Sequence, residues 1–341
     1  MRSLALIVPR AEGERIRRLL SEGDWLRKDL RIATDSDSLA LPLTAVPNPG
    51  VPGGRVGEWE FDPVAPPGPR SYRDLLAPGG AGASALPRAF DVIGDVVLIR
   101  LPPGLSERHA EIGSALLQFV PGARIVGVDR GVHGTERRRS LLRIAGTGDW
   151  HTRHSENGLT MDVDLEAAYF SPRLAREHAR IARLVQYGET VFDLCCGIGP
   201  FSLQIARDGR ASKVVGIDLN GAAVALGLGN AKRLGLAGRV EFRHASLDEF
   251  IPVAGTADRV IFNLPREGIK YLAEVGNSVG PGGWLHYYEV TESVAKDRRP
   301  EELARVLREG SGGTWEPAQG RRVHAYSPSQ ELIAYALRRS P

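Results

Sequence analysis

The chain has 341 residues, 42% of them hydrophobic and 25% charged, with a formal net charge of +3. That length accommodates two or three domains of ordinary globular composition, and no apolar run is long enough to span a bilayer. The two cysteines, Cys195 and Cys196, are adjacent, which excludes an internal disulfide framework.

MRSLALIVPR at the N-terminus lacks the apolar centre and cleavage site of a signal peptide, so a cytoplasmic location is expected. A charge of +3 is too small to argue for nucleic acid by itself. Only 5 of the 44 basic residues are lysine, however, and arginine's planar fork is the better reader of phosphates and bases. Between Arg124 and Arg143 stand six arginines against two acids, Asp129 and Glu136, a candidate phosphate-contacting surface or a solvated face.

In chain order, Leu4 to Val8 reads as a strand, Glu12 to Leu20 as a helix and Leu39 to Leu43 as a second strand. Together they predict a small α/β unit over residues 1–62. From Pro47 to Pro87 the composition shifts to Gly, Pro and Ala, and residues 63–87 are expected to be a linker, interrupted by a helical piece at Tyr72 to Leu76. A middle α+β domain is expected over residues 88–165. It holds a strand at Asp95 to Leu101, a helix at Glu107 to Phe119, and a hairpin in which WHTRHS and LTMDVDL flank the turn Glu156-Asn157-Gly158.

The last region, residues 166–341, opens with a predicted N-cap at Ser171 and Pro172 in the first turn of a helix, LAREHARIARLV. TVFDL, KVVGIDL, RVEFRH, DRVIFNL and GWLHYYEV then alternate with helical stretches, which predicts a doubly wound parallel sheet. RRVHAYS and ELIAYAL, split at Pro328-Ser329-Gln330, predict a closing antiparallel hairpin. That addition fits the methyltransferase variant of the fold.

TVFDL runs directly into Asp193-Leu194-Cys195-Cys196-Gly197-Ile198-Gly199-Pro200-Phe201, where glycines let the backbone turn and approach a ligand at a strand end. A dinucleotide fingerprint would require a third glycine at position 202, which is Ser202. An acid four residues before Gly197, followed by Gly199, matches S-adenosylmethionine binding instead. Asp218, at the end of the second strand, is expected to accept both ribose hydroxyls.

Over nearly its whole length the chain resembles the archaeal branch of the tRNA (guanine-37-N1)-methyltransferase family. The resemblance rests on ENGLTMDVDLEAAYFSPRLAREHARI, DLCCGIGPFSLQIA, DRVIFNLP and LHYYEV. It implies that Glu177 is the general base, that Arg137 faces the target guanine, and that Asn263 and Pro265 border the transferable methyl. Tyr169, Asp193, Gly197, Gly199, Pro200, Phe201, Asp218, Leu219, Ser246, Leu247 and Asn263 would hold S-adenosylmethionine. Arg137, Arg138, Arg139, Arg173 and Arg176 would contact the RNA. The implied partner is tRNA, bound at its anticodon stem-loop and, through the first domain, at its outer corner.

The chemistry agrees with those roles. Guanine N1 carries a proton, and negative charge develops on O6 as that proton leaves. A base near N1 and donors near O6 are therefore required. Taken singly, Glu177 could instead be a first-turn acid on its helix dipole, Arg137 to Arg139 phosphate contacts only, and Asn263 the cap of a helix from Arg266 onward. Cys195 and Cys196 read as small packing residues. Two positions depart from the family pattern: Ser246 replaces an adenine-contacting acid, with Asp248 two residues on, and Leu234 stands where a second asparagine after Asn230 is preferred.

The histidines lack ligand spacing, so no metal site is expected, and no protein partner or membrane is implied. The rival reading is the related wybutosine-pathway aminocarboxypropyl transferase, or an enzyme that also methylates a wyosine precursor. Gly199-Pro200-Phe201 and Asn263-Leu264-Pro265 favour methyl transfer to guanine.

Overall fold

The computed structural model describes residues 1–48, 50–64, 68–76, 86–292, 299–317, 320–327 and 329–341. Its chain forms two compact units, Met1–Arg70 and Ser71–Pro341.

In the first unit, β1 (Arg2–Pro9) is the strand expected from its apolar run, and α1 (Gly13–Glu22) follows a single 3-10 turn. β2 (Ala33–Thr34), β3 (Ser38–Pro42) and β4 (Arg55–Glu60) complete an antiparallel sheet of order β2-β3-β1-β4. Leu6 and Val8 pack with Ile16 and Leu20 of α1 and with Leu41 and Leu43.

β4 lies inside the stretch from Pro47 to Pro87 where the composition shifts to Gly, Pro and Ala. It pairs with β1 along its full length, from Arg2 opposite Glu60 to Ile7 opposite Arg55. As an edge strand it needs little apolar content, which is why its pattern was weak. The first unit also continues past 62. Leu30 bridges to Pro63, and the Val64 N–H donates to the Asp29 carbonyl. Of the expected linker, Tyr72–Leu75 is a 3-10 turn capped by Ser71, with the Tyr72 hydroxyl donating to the Pro87 carbonyl at 2.6 Å. Residues 65–67 and 77–85 lie outside the described residues.

The second unit begins with β5 (Phe90–Ile93), β6 (Val96–Ile99), α2 (His109–Phe119), β7 (Ile125–His133) and β8 (Arg138–Gly146), in sheet order β5-β6-β7-β8. Strand periodicity divides β6 between two cores. Val97 and Ile99 pack with Ile112 and Leu116 of α2, while Val96 and Leu98 face the opposite way. β9 (His151–Glu156) and β10 (Leu159–Asp164) form the expected hairpin. Asn157 at φ 47° and Gly158 at φ 77° make its two-residue turn, as the twist of such hairpins requires.

α3 (Ala175–Leu184) then leads into the doubly wound region. Its elements are β11 (Thr190–Leu194), α4 (Pro200–Asp208), β12 (Lys213–Asp218), α5 (Gly221–Arg233), β13 (Val240–His244), α6 (Leu247–Ala254) and β14 (Ala257–Phe262). α7 (Leu272–Gly276), β15 (Val279–Glu292), α8 (Arg299–Ser311), β16 (Trp315–Pro317), β17 (Arg321–Ala325) and β18 (Gln330–Arg339) complete it. The sheet order is β13-β12-β11-β14-β15-β18-β16, with β17 also on β18. β13 through β15 are mutually parallel, and β18 is antiparallel to β15, β16 and β17. The closing hairpin is thus present, although Pro328 in its turn lies outside the described residues.

Residues 88–165 do not separate from the doubly wound region. One core joins Ile93, Val96, Leu98 and Ile125 to Leu159, Met161 and Val163 of the hairpin and to Ile181, Val191 and Ile205. Asn230 of α5, fully buried, stitches the same junction: its side chain takes the Asp162 N–H at 2.7 Å and donates to the Asp162 carbonyl at 2.9 Å.

Gly94, between β5 and β6, has φ +57°, and a Cβ there would overlap Thr152 Oγ1 and the Arg153 carbonyl of β9. Gly94→Ala is expected to destabilise the second unit by roughly 2–4 kcal/mol, from left-handed strain plus overpacking. A urea midpoint unchanged from wild type would show that the hairpin is not held against this turn.

Candidate active site

The loop after β11 must reverse direction within five residues. Cys195 (φ 64°), Gly197 (φ 57°) and Gly199 (φ 81°) take left-handed conformations, and Pro200 then starts α4, where a missing N–H costs nothing. Hydrogen bonds hold this path. The Cys196 N–H donates to the Ile217 carbonyl at 2.8 Å, and the Gly197 N–H to Asp218 Oδ2 at 2.7 Å. The Ser202 N–H and hydroxyl both donate to Asp193 Oδ2, at 3.2 and 2.6 Å.

A cavity of about 690 Å³ opens where this loop meets the C-terminal ends of β12 and β14. That is the point at which strand order reverses, where open α/β sheets bind ligands. Gly197, Pro200, Phe201, Asp218, Leu219, Ser246 and Leu247 line one part of it, and Arg137, Tyr169, Asn263 and Pro265 line another.

Asp193 and Gly199, expected to hold the cofactor, are not on that wall. Asp193 is 0% exposed beneath the loop, and burial pushes its carboxyl up to about 7. Gly199 acts through its conformation, since a Cβ there would overlap the Phe242 ring. Asp218 is on the wall. Its oxygens accept the Gly197 N–H and, at 2.9 Å, the Asn220 N–H, which leaves each a further lone pair. Burial raises its pKa, and the two backbone donors and nearby Arg137 oppose that shift.

The Ser246 hydroxyl is committed to a capping box with Glu249, while Asp248 in the same turn lines the cavity.

Arg137 sits at φ 55° with its guanidinium over the Tyr169 ring, 5.1 Å from the centroid. Arg139 covers the same ring at 4.7 Å, but it is buried, donating to Asp129 at 2.5 Å and to the Phe170 carbonyl at 2.7 Å. Arg139 is therefore a structural ion pair rather than a phosphate contact. The arginine excess at 124–143 is largely paired internally. Arg124 binds Asp95 and three carbonyls, Arg138 binds Glu136, and Arg143 binds the Gly148 carbonyl. Arg138, Arg173 and Arg176 are exposed, and Arg173 pairs with Asp91 at 2.8 Å.

Asn263 does not cap a helix, because the 3-10 turn after it is Gly268–Tyr271, preceded by Glu267. Its Oδ1 is buried with no hydrogen-bond partner among the described residues. Ser171 occupies the predicted N-cap position, yet its side chain makes no capping bond.

Glu177, 2% exposed, is set apart from the cavity wall. It accepts from Arg180 at 2.6 and 2.9 Å, from the Tyr288 hydroxyl at 2.9 Å, and from Arg321 of β17. Burial alone would raise its pKa, but the flanking arginines and the Tyr288 hydroxyl outweigh that and hold it below the usual carboxylate range. A base was expected to face the cavity; this carboxylate is enclosed by cations.

Several wall residues carry no site role in the sequence: Tyr271, His324 and Tyr326, and also His178, Cys195 and Cys196, which lie within the quoted motifs. His178 was detectable by spacing, since it shares a helix face with Leu174 and Ile181. Cys195 and Cys196 line the cavity as well as packing. Among the described residues no cluster of His, Cys, Asp and Glu could hold a metal ion, and no helix is long and apolar enough to cross a membrane.

A parallel sheet closed by an antiparallel last strand, with a nucleotide-sized cavity at its reversal point, is the architecture of the class I S-adenosylmethionine-dependent methyltransferases. Residues 152–311 match the TRM5/TYW2 methyltransferase domain, residues 81–149 the TYW2 N-terminal domain, and residues 5–50 the tRNA methyltransferase 5 N-terminal domain. The tRNA (guanine(37)-N(1))-methyltransferase Trm5b of Pyrococcus abyssi is 32% identical over 344 residues, 98% of this chain and 99% of its own. The crystal structure of that protein matches with a TM-score of 0.82 at 31% identity, over 99% of this chain and 100% of its own. A complex of aTrm5 with tRNALeu matches with a TM-score of 0.77 at 28% identity, over 99% and 100%. The chain belongs to the tRNA (guanine(37)-N(1))-methyltransferase family.

The buried Asp193 has a measurable consequence. Its folded pKa of about 7 lies above its ordinary 3.8, so its contribution to stability is complete below 3.8 and is lost as pH rises to about 7. Asp193→Asn should flatten the decline in stability between those pH values, which one such group sets at no more than about 1.4 kcal/mol per pH unit. An equal slope in both proteins, read from denaturant melts at several pH values, would remove Asp193 as its source.

Proposed function

We infer that this chain transfers a methyl group from S-adenosylmethionine to N1 of guanine 37 in tRNA, in the cytoplasm. The observation that carries the reading is a shared cavity in which Gly197, Asp218 and Leu219 stand beside Arg137, Tyr169, Asn263 and Pro265. The cofactor fits the residues present. Asp218 retains lone pairs for ribose hydroxyls, and Gly197 is open on its cavity side, with only the Tyr169 carbonyl within 4 Å of an added Cβ. When bound, S-adenosylmethionine supplies a methyl activated by its sulfonium.

The chain's residues then do the remaining work. Tyr169 and Pro265 bound the reacting centre, and Arg137 with the Asn263 amide donates to O6 as charge gathers there. Glu177 receives the N1 proton, which frees the N1 lone pair for the methyl group that the bound cofactor would supply. For this the Arg321 contact must open. Arg321 is 45% exposed, and it can exchange the carboxylate for an RNA phosphate. Arg138, Arg173 and Arg176 contact the RNA backbone. Arg138 and Arg173 carry only surface ion pairs, which are weak enough to exchange.

The deciding experiment incubates the protein with labelled cofactor and unmodified tRNA transcripts, followed by nuclease digestion and mass spectrometry. 1-Methylguanosine from position 37 is expected; an aminocarboxypropyl mass increase would replace this reading with the rival. In the same assay Glu177→Gln is expected to slow single-turnover transfer ~10²–10⁴-fold while tRNA and cofactor still bind, with part of the rate recovered at high pH. Near-normal transfer at neutral pH would leave the carboxylate a purely structural charge.

The first unit, Met1–Arg70, contacts the outer corner of the tRNA on this reading. Its deletion should weaken full-length tRNA binding ~10-fold or more, with no change for an isolated anticodon stem-loop or for the cofactor. Equal affinity of the truncated and intact proteins for full-length tRNA would give the unit another role.

A further inference from the structure

His178 is 1% exposed, lines the cavity, and is not among the residues used above. Its imidazole is fixed on two sides. Glu156, the last residue of β9, places Oε1 2.6 Å from His178 Nδ1. The Phe201 ring meets it edge-on, with centroids 4.5 Å apart and planes at 80°. His154 Nε2 lies 3.8 Å from the other Glu156 oxygen.

An ionised carboxylate only accepts hydrogen bonds, so the proton of a neutral His178 sits on Nδ1 and the lone pair on Nε2. That Nε2 is buried and has no hydrogen-bond partner among the described residues. A buried polar atom left unpartnered on a residue of the cavity wall is costly unless a ligand completes it. Its complement is an N–H donor.

Guanine offers two adjacent donors, N1–H and the exocyclic amino group, beside the acceptor O6. With the N1 proton taken by the base and O6 held by Arg137, the amino group is the remaining donor. We propose that His178 Nε2 accepts a hydrogen bond from the exocyclic amino group of the target guanine and so helps to select guanine, with Glu156 as the positioning residue that sets the imidazole tautomer. The proposal rests on the reaction inferred above. Inosine, which lacks only that amino group, would leave the buried lone pair unpaired, the situation in which a polar site discriminates well.

The test uses tRNA transcripts that differ only in carrying guanosine or inosine at position 37. It compares kcat/KM for the pair in wild type, His178→Phe, His178→Leu and Glu156→Gln, with S-adenosylmethionine affinity as the control for an intact fold. Wild type is expected to favour guanosine by roughly 10- to 100-fold. His178→Phe removes the acceptor, and the preference should fall to within about threefold. His178→Leu also removes the acceptor and puts no ring in the wall, so it should lose the same preference even if the phenylalanine variant does not fold, whereas Glu156→Gln, whose amide oxygen can still accept from Nδ1–H, should keep it. A guanosine preference retained in a His178 variant that binds cofactor normally overturns the role of His178 and leaves the reaction standing. A wild type that methylates neither transcript overturns the reaction, and this proposal with it.

Discussion

Two carboxylates at the ends of neighbouring parallel strands hold the loop around which the site is built. Asp218 at the end of β12 takes the Gly197 N–H, and Asp193 near the end of β11 takes the N–H and hydroxyl of Ser202. Between these anchors the backbone passes through left-handed conformations at Cys195, Gly197 and Gly199. Without the anchors such a path would have little to favour it over an ordinary turn, since Cys195 carries a steric cost at φ 64°. The two acids look equivalent in the sequence, yet one faces the cavity and the other is sealed beneath it. Burial raises the pKa of both, but the wall residue has two backbone donors and Arg137 opposing the shift and keeps lone pairs for a ligand, while the enclosed one is pushed up to about 7.

Arginine is the common cation of this chain, and much of it serves architecture. Arg139 is sealed between Asp129 and the Phe170 carbonyl, and Arg259 joins Glu189 to His286 in the interior. The fork geometry suits these positions because one guanidinium can satisfy a carboxylate and a carbonyl together. Arg137 differs. It lines the cavity, lies over Tyr169, and reaches Asp218 with its charge. Three consecutive arginines thus have three fates, decided by which side of β8 and its preceding turn each one leaves.

The junction between the middle sheet and the doubly wound sheet also positions the site. The β9–β10 hairpin is packed into the shared core and bonded to Asn230, and it delivers Glu156 to His178. Tyr169, beyond the hairpin in the chain, reaches the cavity by the same route. A boundary at residue 165 would cut through this packing. The family's N-terminal match at residues 81–149 and its methyltransferase match from residue 152 therefore describe segments of one continuous core.

The sequence by itself determined the alternation of strands and helices in the last region, the Asn157-Gly158 hairpin, the glycine-bearing loop after TVFDL and the acid at the end of KVVGIDL. These depend on local patterns: apolar period, left-handed turn residues and the spacing of a glycine loop from a strand. It also carried the family, because YFSPRL, GIGPF and NLP stand at separations that few chains share. What it left open depends on partners distant in the chain. The edge strand Arg55–Glu60 is stabilised by pairing with β1 rather than by its own composition. Beside the local Arg180, Glu177 has partners 111 and 144 residues away at Tyr288 and Arg321, and the balance of burial against these partners sets how basic the carboxylate is. No local pattern separates Asp193 from Asp218, or Arg139 from Arg137. Only the tertiary structure decides which charge meets the cavity and which meets another charge, because burial and pairing are properties of the packed chain.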